Sequence, residues 1–419
     1  MGKKKVVVFG LGRVYRTFLD VYDRSKMDII ALSDNNRSLF EMGIEDCENL
    51  VKPEEINKLD FDYIIVTCSF YDEIKKQLEG YGIHRECILN FYAVWENLLV
   101  QDNYQNHDEL LELLKENVPM AVHYEYEFYK LRMLQEKNLF LSAKNFINST
   151  KNQKINTLEE VEFQVYSQFG EDGIIQWLIH NVEIDKKTFV EFGVDDYSEA
   201  NTKFLLMNNN WSGLVMDGNV ESVDRLKKWN RRWLYDLTAI AAFITKDNIN
   251  TLISQAGYIG DIGILSIDLD GNDYWILKAI DCVSPRILIC EYNNAYGMEE
   301  MVSVPYDAEF MRTKKHYSNL YWGASIAAFC DWAEKNGYYY MGSNSAGNNA
   351  FFVRKDCIKK EMVPAGAKVF VESKYRESID EKGQFTYLGG IDRLKCMEEM
   401  ELVNLKTNCV DTIKNIYNI

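Results

Sequence analysis

Twice along the 419-residue chain, short β-branched apolar runs end in an acid or a glycine and give way to helical spacing. Strands that alternate with helices join in parallel through right-handed crossovers, and their ligands sit beyond the carboxyl ends of the strands. The first region has strands at Lys5–Phe9, Asp28–Ser33, Phe61–Thr67 and Cys87–Asn90, with helices at Val14–Tyr22 and Tyr71–Tyr81. The second has strands at Thr188–Val194, Gly213–Met216, Ile262–Ile267 and Arg286–Cys290. Helices fall at Gln168–Asn181, Glu199–Asn209, Asp247–Ala256, Asp273–Ile280 and Ala324–Asn336, and a hairpin, Tyr338–Met341 with Ala350–Val353, closes the series. Between the two regions, Glu109–Asn117 and Tyr124–Lys137 read as charged helices, and polar Asn148–Asn156 marks a boundary. A helix near Gly389–Met400 and short strands follow the hairpin.

Composition excludes several classes. Hydrophobic residues make up 47% of the chain and prolines number 5, so the chain buries a core. Lys and Arg total 47 against 64 Asp and Glu, a net charge of −17, and no nucleic-acid partner is expected. The 9 cysteines are scattered without a CxxC pair, which suits a reduced compartment. The apolar run Val6–Phe9 is too short for a signal segment, and no run approaches a membrane span, so a cytoplasmic protein is expected.

Gly10-x-Gly12 follows the first strand and opens a helix, and Asp34 ends the next strand. Glycine permits close backbone approach, a helix N-terminus favours a phosphate, and an acid at Asp34 suits a ribose hydroxyl. The third position of the pattern is Tyr15 rather than glycine, so a plain sheet turn is the alternative. Leu32-Ser-Asp34-Asn35 resembles the strand end of nucleotide-sugar-binding domains in bacterial sugar acyltransferases.

In the second region four strand ends carry acids: Glu191, Asp217, Asp268 with Asp270, and Glu291. Buried acids are costly unless paired, hydrated or liganded. Thr188-Phe-Val-Glu191-Phe-Gly193-Val resembles motif I of class I S-adenosylmethionine-dependent methyltransferases, whose sheet also ends in an antiparallel hairpin. The resemblance implies that Glu191 and Gly193 hold the amino-acid part of the cofactor. It assigns the ribose hydroxyls to Asp217, within Asp217-Gly218-Asn219. The loop after motif I reads Asp195-Asp-Tyr-Ser-Glu199, bulky and acidic where the family has glycine. Tyr166–Gly173, with Gln168 toward the cofactor, and Leu265–Leu277, with Asp268 at its strand end, resemble FkbM-like methyltransferases and uncharacterised bacterial relatives. Ser266 stands where those proteins have lysine. Asp270 and Glu291 also resemble the metal-binding strand ends of sugar O-methyltransferases related to the macrocin enzyme.

Asp270, Asp273, Glu291 and Asn293 are hard oxygen donors suited to Mg²⁺ or Mn²⁺; direct contact with cofactor or substrate is the alternative, and for Asp273 also a helix N-terminal charge. Asp270 is the expected base toward an acceptor hydroxyl, with His316 a second candidate from the insertion after Glu291 and packing its alternative role.

The expectation is an α/β chain of two Rossmann-like units, the second a methyltransferase-type seven-stranded sheet with a closing antiparallel hairpin. Residues 1–92 form a nucleotide- or nucleotide-sugar-binding-type domain, 93–160 a helical connector, 161–356 the methyltransferase-like domain and 357–419 a tail. The connector and tail are where a homo-oligomer would form. The expected activity is S-adenosylmethionine-dependent O-methylation of a sugar or cell-surface glycan precursor in bacterial polysaccharide synthesis. The alternatives are a non-catalytic nucleotide-sugar-binding or assembly protein, and a metal-dependent hydrolase or transferase using Asp270 and Glu291.

Overall fold

The computed structural model describes residues 2–36, 49–92, 110, 113–114, 118–227, 229 and 232–419. The chain divides into two units, Met1–Lys137 and Asn138–Ile419.

In the first unit, β1 (Lys4–Phe9), β2 (Met27–Ser33), β3 (Tyr63–Val66) and β4 (Ile88–Asn90) form a parallel sheet in the order β2-β1-β3-β4. Val6 and Val8 face a cluster with Phe18, Leu89 and Phe91, while Val7 and Phe9 face Ile64, Ile74 and Leu78. Both faces are covered, which is why β1 is apolar at consecutive positions rather than alternating.

The second unit carries β5 (Thr188–Phe192), β6 (Ser212–Asp217), β7 (Leu237–Ala241), β8 (Gly260–Ile267), β9 (Val283–Glu291), β10 (Val302–Ser303), β11 (Tyr338–Ser343), β12 (Asn349–Arg354), β13 (Glu401–Asn404) and β14 (Cys409–Thr412). Seven of these form one sheet, ordered β11-β12-β9-β8-β5-β6-β7, and β12 runs antiparallel to both β9 and β11. This is the seven-stranded sheet with a closing antiparallel hairpin that the sequence led us to expect. Successive residues of β5 feed opposite cores: Phe189 packs with Trp177, Trp211 and Phe351, whereas Val190 and Phe192 pack with Met216, Leu265 and Phe352. Each such burial contributes about 1.5–3 kcal/mol.

Three features depart from the sequence reading. The edge strand β7 has no strong sequence signal, because three of its five residues are only half-buried. One helix runs unbroken over Val118–Thr150 and ends inside the stretch read as a boundary, and in its last turns Ala143 and Ile147 pack on Phe204. The helix expected at Glu109–Asn117 lies almost wholly outside the described residues. Finally, the segment read as a tail joins the insertion after β9. β13 pairs with β10 and β14, and Leu394, Met397, Leu402 and Ile413 share a core with Val302, Phe310 and Trp322. Among the described residues no helix is long and apolar enough to cross a membrane.

At the amino ends of β8 and β9 lies an ion-pair network. Asp261 meets Arg286 and Arg354, each at 2.9 Å, and Arg286 also reaches Asp185 at 2.5 Å. Asp261→Ala is expected to lower stability by about 1–3 kcal/mol, read from the urea midpoint at unchanged slope.

Candidate functional site

The carboxyl ends of β5, β6 and β8 surround a pocket of about 280 Å³. Gly193 lines it. Its φ is +69°, and a Cβ there would fall 1.8 Å from the Asp268 carbonyl oxygen. Only glycine allows the turn after β5 to lie against the end of β8.

Asp217, at the end of β6, lines this pocket. The Asp195 amide donates to its Oδ2 at 2.8 Å and the Asn219 amide to its Oδ1 at 2.7 Å. The carboxylate is held in one orientation, and each oxygen keeps acceptor capacity for a ligand hydroxyl. The acidic loop that departs from the glycine pattern closes all the same. Asp195 and Tyr197 adopt positive φ. Asp195 takes a hydrogen bond from Ser222 Oγ, and the buried Tyr197 hydroxyl meets Thr202 Oγ1 at 2.9 Å. Gly218 lines the pocket, but Asn219 does not. Its side chain caps the next helix by accepting from the Glu221 and Ser222 amides.

Glu191 is not a pocket residue. It is 4% exposed, and its oxygens accept from the Asn201 and Thr202 amides and from Thr202 Oγ1. It ties the loop after β5 to that strand, and burial pushes its pKa up to about 7. Gln168 is exposed and also lies outside the pocket. Its neighbours are structural instead. Asp172 accepts from the Val165, Tyr166 and Ser167 amides, and Glu171 Oε1 accepts from Asn344 and Asn349 of the closing hairpin.

Asp268, Asp273 and Glu291 bring carboxylate oxygens within 4.8 Å of one another. Asp273 spends its oxygens on the Leu269 and Gly271 amides, at 2.7 and 3.0 Å, and so shapes the turn after β8. Asp268 and Glu291 have no such supply of amides. Glu291 is 7% exposed, and its Oε2 takes no hydrogen bond among the described residues. Burial, with Asp270 and Asp273 nearby, raises Asp268 far above the usual carboxylate range; burial, with Asp268 nearby, does the same for Glu291. Two carboxylates this close do not both ionise, so the pair holds a proton.

Asp270 lines the pocket but is exposed, and Arg312 Nη1 donates to its Oδ1 at 3.0 Å. Arg312 also pairs with Glu377, and its guanidinium lies 4.7 Å from the Trp322 ring centre. Asp270 is therefore an ion-pair partner outside the carboxylate cluster. Asn293 is outside it as well. Its amide donates to the Leu320 and Trp322 carbonyls and accepts from the Ala295 amide, which pins the insertion to β9. Of the donors read from the sequence, Asp270, Asp273, Glu291 and Asn293, the structure brings together Asp273 and Glu291, with Asp268 as the third acid. The three clustered acids fit an ion poorly, since Asp273 is already satisfied. His316 contacts Ser318 Oγ at 2.7 Å and packs on Tyr317, away from the pocket lining.

The sequence reading missed Phe243, two residues beyond the unlocated β7, and Phe310 of the insertion, both of which line the pocket. Neither belongs to a periodic pattern that could have drawn attention to it. In the first unit Gly10 has φ +96° and Asp34 turns back on the glycine-rich loop, accepting from the Leu11 amide at 2.7 Å and the Asn36 amide at 2.8 Å. Gly12 precedes the helix as its exposed N-cap residue.

Because the folded state keeps a proton on Glu191 after the unfolded chain has released it, unfolding free energy falls as pH rises from about 4.5 to about 7. Glu191→Gln is expected to flatten that slope in chemical denaturation run across this window.

Residues 2–89 match the family model described as C2185-like, N-terminal. Comparison with curated proteins found no match. Among solved structures the chain is similar to M. capricolum TrmK in complex with S-adenosylhomocysteine, at 12% identity and TM-score 0.26, over 46% of this chain and 74% of that one. An S-adenosylmethionine-dependent methyltransferase from Clostridium acetobutylicum aligns at 9% identity and TM-score 0.28, over 44% and 90%. Methyltransferase FkbM from Methylobacillus flagellatus aligns at 12% identity and TM-score 0.21, over 77% and 89%.

Proposed function

We propose that the second unit binds S-adenosylmethionine and transfers its methyl group to a hydroxyl of a sugar or glycan precursor. The observation that carries this reading is Asp217, locked by two backbone amides beside Gly193 in a pocket near the proton-holding Asp268–Glu291 pair. When bound, the donor supplies an electrophilic methyl group on a cationic sulfonium. Asp217 accepts from the ribose hydroxyls, and Phe243, 52% exposed at the pocket wall, offers a face for the adenine. The bare backbone at Gly193 gives room for the amino-acid end, and the surrounding acids favour a cation.

The member of the Asp268–Glu291 pair that is still ionised would receive the proton that the acceptor hydroxyl gives up as its oxygen bonds to the methyl carbon and the carbon–sulfur bond breaks, leaving a neutral thioether. A carboxyl raised by burial is better matched to that proton than an ordinary one. The glycan part rests on the resemblance to sugar-modifying enzymes, and so does a nucleotide-sugar role for the first unit.

Calorimetry with S-adenosylhomocysteine is expected to show saturable binding, weakened about 10–100-fold in Asp217→Ala, the loss of one or two hydrogen bonds to a charged group. No binding of either adenosyl compound, with and without Mg²⁺, would sink the reading. Glu291→Gln is expected to cut single-turnover methyl transfer by about 10²–10⁴-fold while the donor affinity stays within twofold or so of the parent.

A further inference from the structure

A second pocket, of about 220 Å³, lies beyond the end of β9, between Asn294 and the segment that follows the closing hairpin. It is smaller than the 280 Å³ pocket at the ends of β5, β6 and β8, and has room for a charged head group. Arg376, Arg393, Ser373, Gly389 and Gly390 line it, together with the exposed Glu372.

Elsewhere in this unit the partly buried arginines have carboxylates. Arg286 has Asp185 and Asp261, Arg312 has Asp270 and Glu377, and Arg354 has Asp261 and Asp356. Arg393 is more buried as a residue than any of them, at 6% exposed, yet among the described residues no carboxylate pairs with it. Its Nε donates to the Leu388 carbonyl at 3.0 Å and its Nη2 to the Tyr375 carbonyl at 2.5 Å. Two of its five N–H groups are thereby used, and the charge is left without a counter-ion. Arg376 likewise has no carboxylate partner among the described residues, and a Cβ on Gly389 would sit 3.8 Å from its guanidinium carbon. In a chain of net charge −17, Arg393 and Arg376 line one pocket whose single lining acid, the exposed Glu372, pairs with neither among the described residues, and the buried charge of Arg393 is costly unless an anion completes it. Guanidinium pairs match phosphoryl oxygens in bidentate fashion, and the glycines let such a group approach the backbone.

We propose that this pocket binds a phosphoryl group. Tyr375, whose backbone Arg393 holds, lies within electrostatic reach of Glu291. Arg393 holds the Tyr375 carbonyl, the Tyr375 ring stacks on Phe169 at 5.6 Å, and Asn294 follows Glu291 by three residues. If the methyl-transfer reading holds, a phosphorylated sugar is the acceptor class this placement favours; the anion site itself does not rest on that reading.

The test titrates the full chain with inorganic phosphate, pyrophosphate and glucose 1-phosphate, with S-adenosylhomocysteine titrated in parallel. Saturable one-site binding of phosphate or pyrophosphate is expected. It should weaken about tenfold or more in Arg376→Ala, an exposed site where the fold should persist, and in Arg393→Lys, which keeps the charge but loses the fork. Lys335→Ala, on a distant helix, should leave it unchanged. No saturable binding, or equal affinity in Arg376→Ala and the parent, overturns the proposal. Glucose 1-phosphate binding tighter than inorganic phosphate assigns the site to a phosphorylated sugar; equal or weaker binding assigns it to the free anion. Loss of adenosyl binding alone removes the methyl-transfer reading and leaves this site standing.

Discussion

Carboxylates withdrawn from water at the ends of parallel strands must be given partners, and much of the second unit follows from how those partners are supplied. Glu191 is satisfied by the loop it closes, Asp273 by the turn it shapes, and Glu171 by two asparagines of the hairpin. Asp217 is satisfied by two amides yet still faces the pocket. Asp268 and Glu291 are left chiefly to each other, and so they are the acids with chemistry to spare. The division between structural and reactive acids is a matter of amide supply.

The insertion after β9 and the last sixty or so residues belong to the same assembly. β10 and β13 pair, their side chains share a core, and Arg312 links Asp270 at the end of β8 to Glu377. A single guanidinium on a tryptophan face thereby ties the insertion both to the pocket at the end of β8 and to the C-terminal segment. The pocket with Arg376 and Arg393 arises from the same folding back, since Asn294 binds the Val371 carbonyl and accepts from the Ser373 amide.

The first unit solves a related problem on a smaller scale. Asp34 stands where a ribose-binding acid would stand, and it accepts from the amide of Leu11 between the two glycines. The acid at the strand end thus shapes the turn beside it, as Glu191 and Asp273 do in the second unit.

The repeating strands and helices, the hairpin and the acid-tipped ends were all legible in the sequence, because buried parallel strands must be apolar along their length and their ends must be polar. The edge strand β7 was not, since a half-exposed strand carries no such pattern. The positions of the acids could be read from the residues, but their duties could not. Glu191 and Asp217 are alike as residues at strand ends, and only the path of the loop between them makes one a brace and the other a pocket wall. Arg312 and Arg376 lie in stretches without periodicity, and Arg393 in a short charged helix whose partners no local pattern names, so where they meet the rest of the unit was decided by tertiary packing. Local patterning determines which segments are buried; which buried charge finds a partner depends on chain segments far apart in sequence, and that only the folded structure decides.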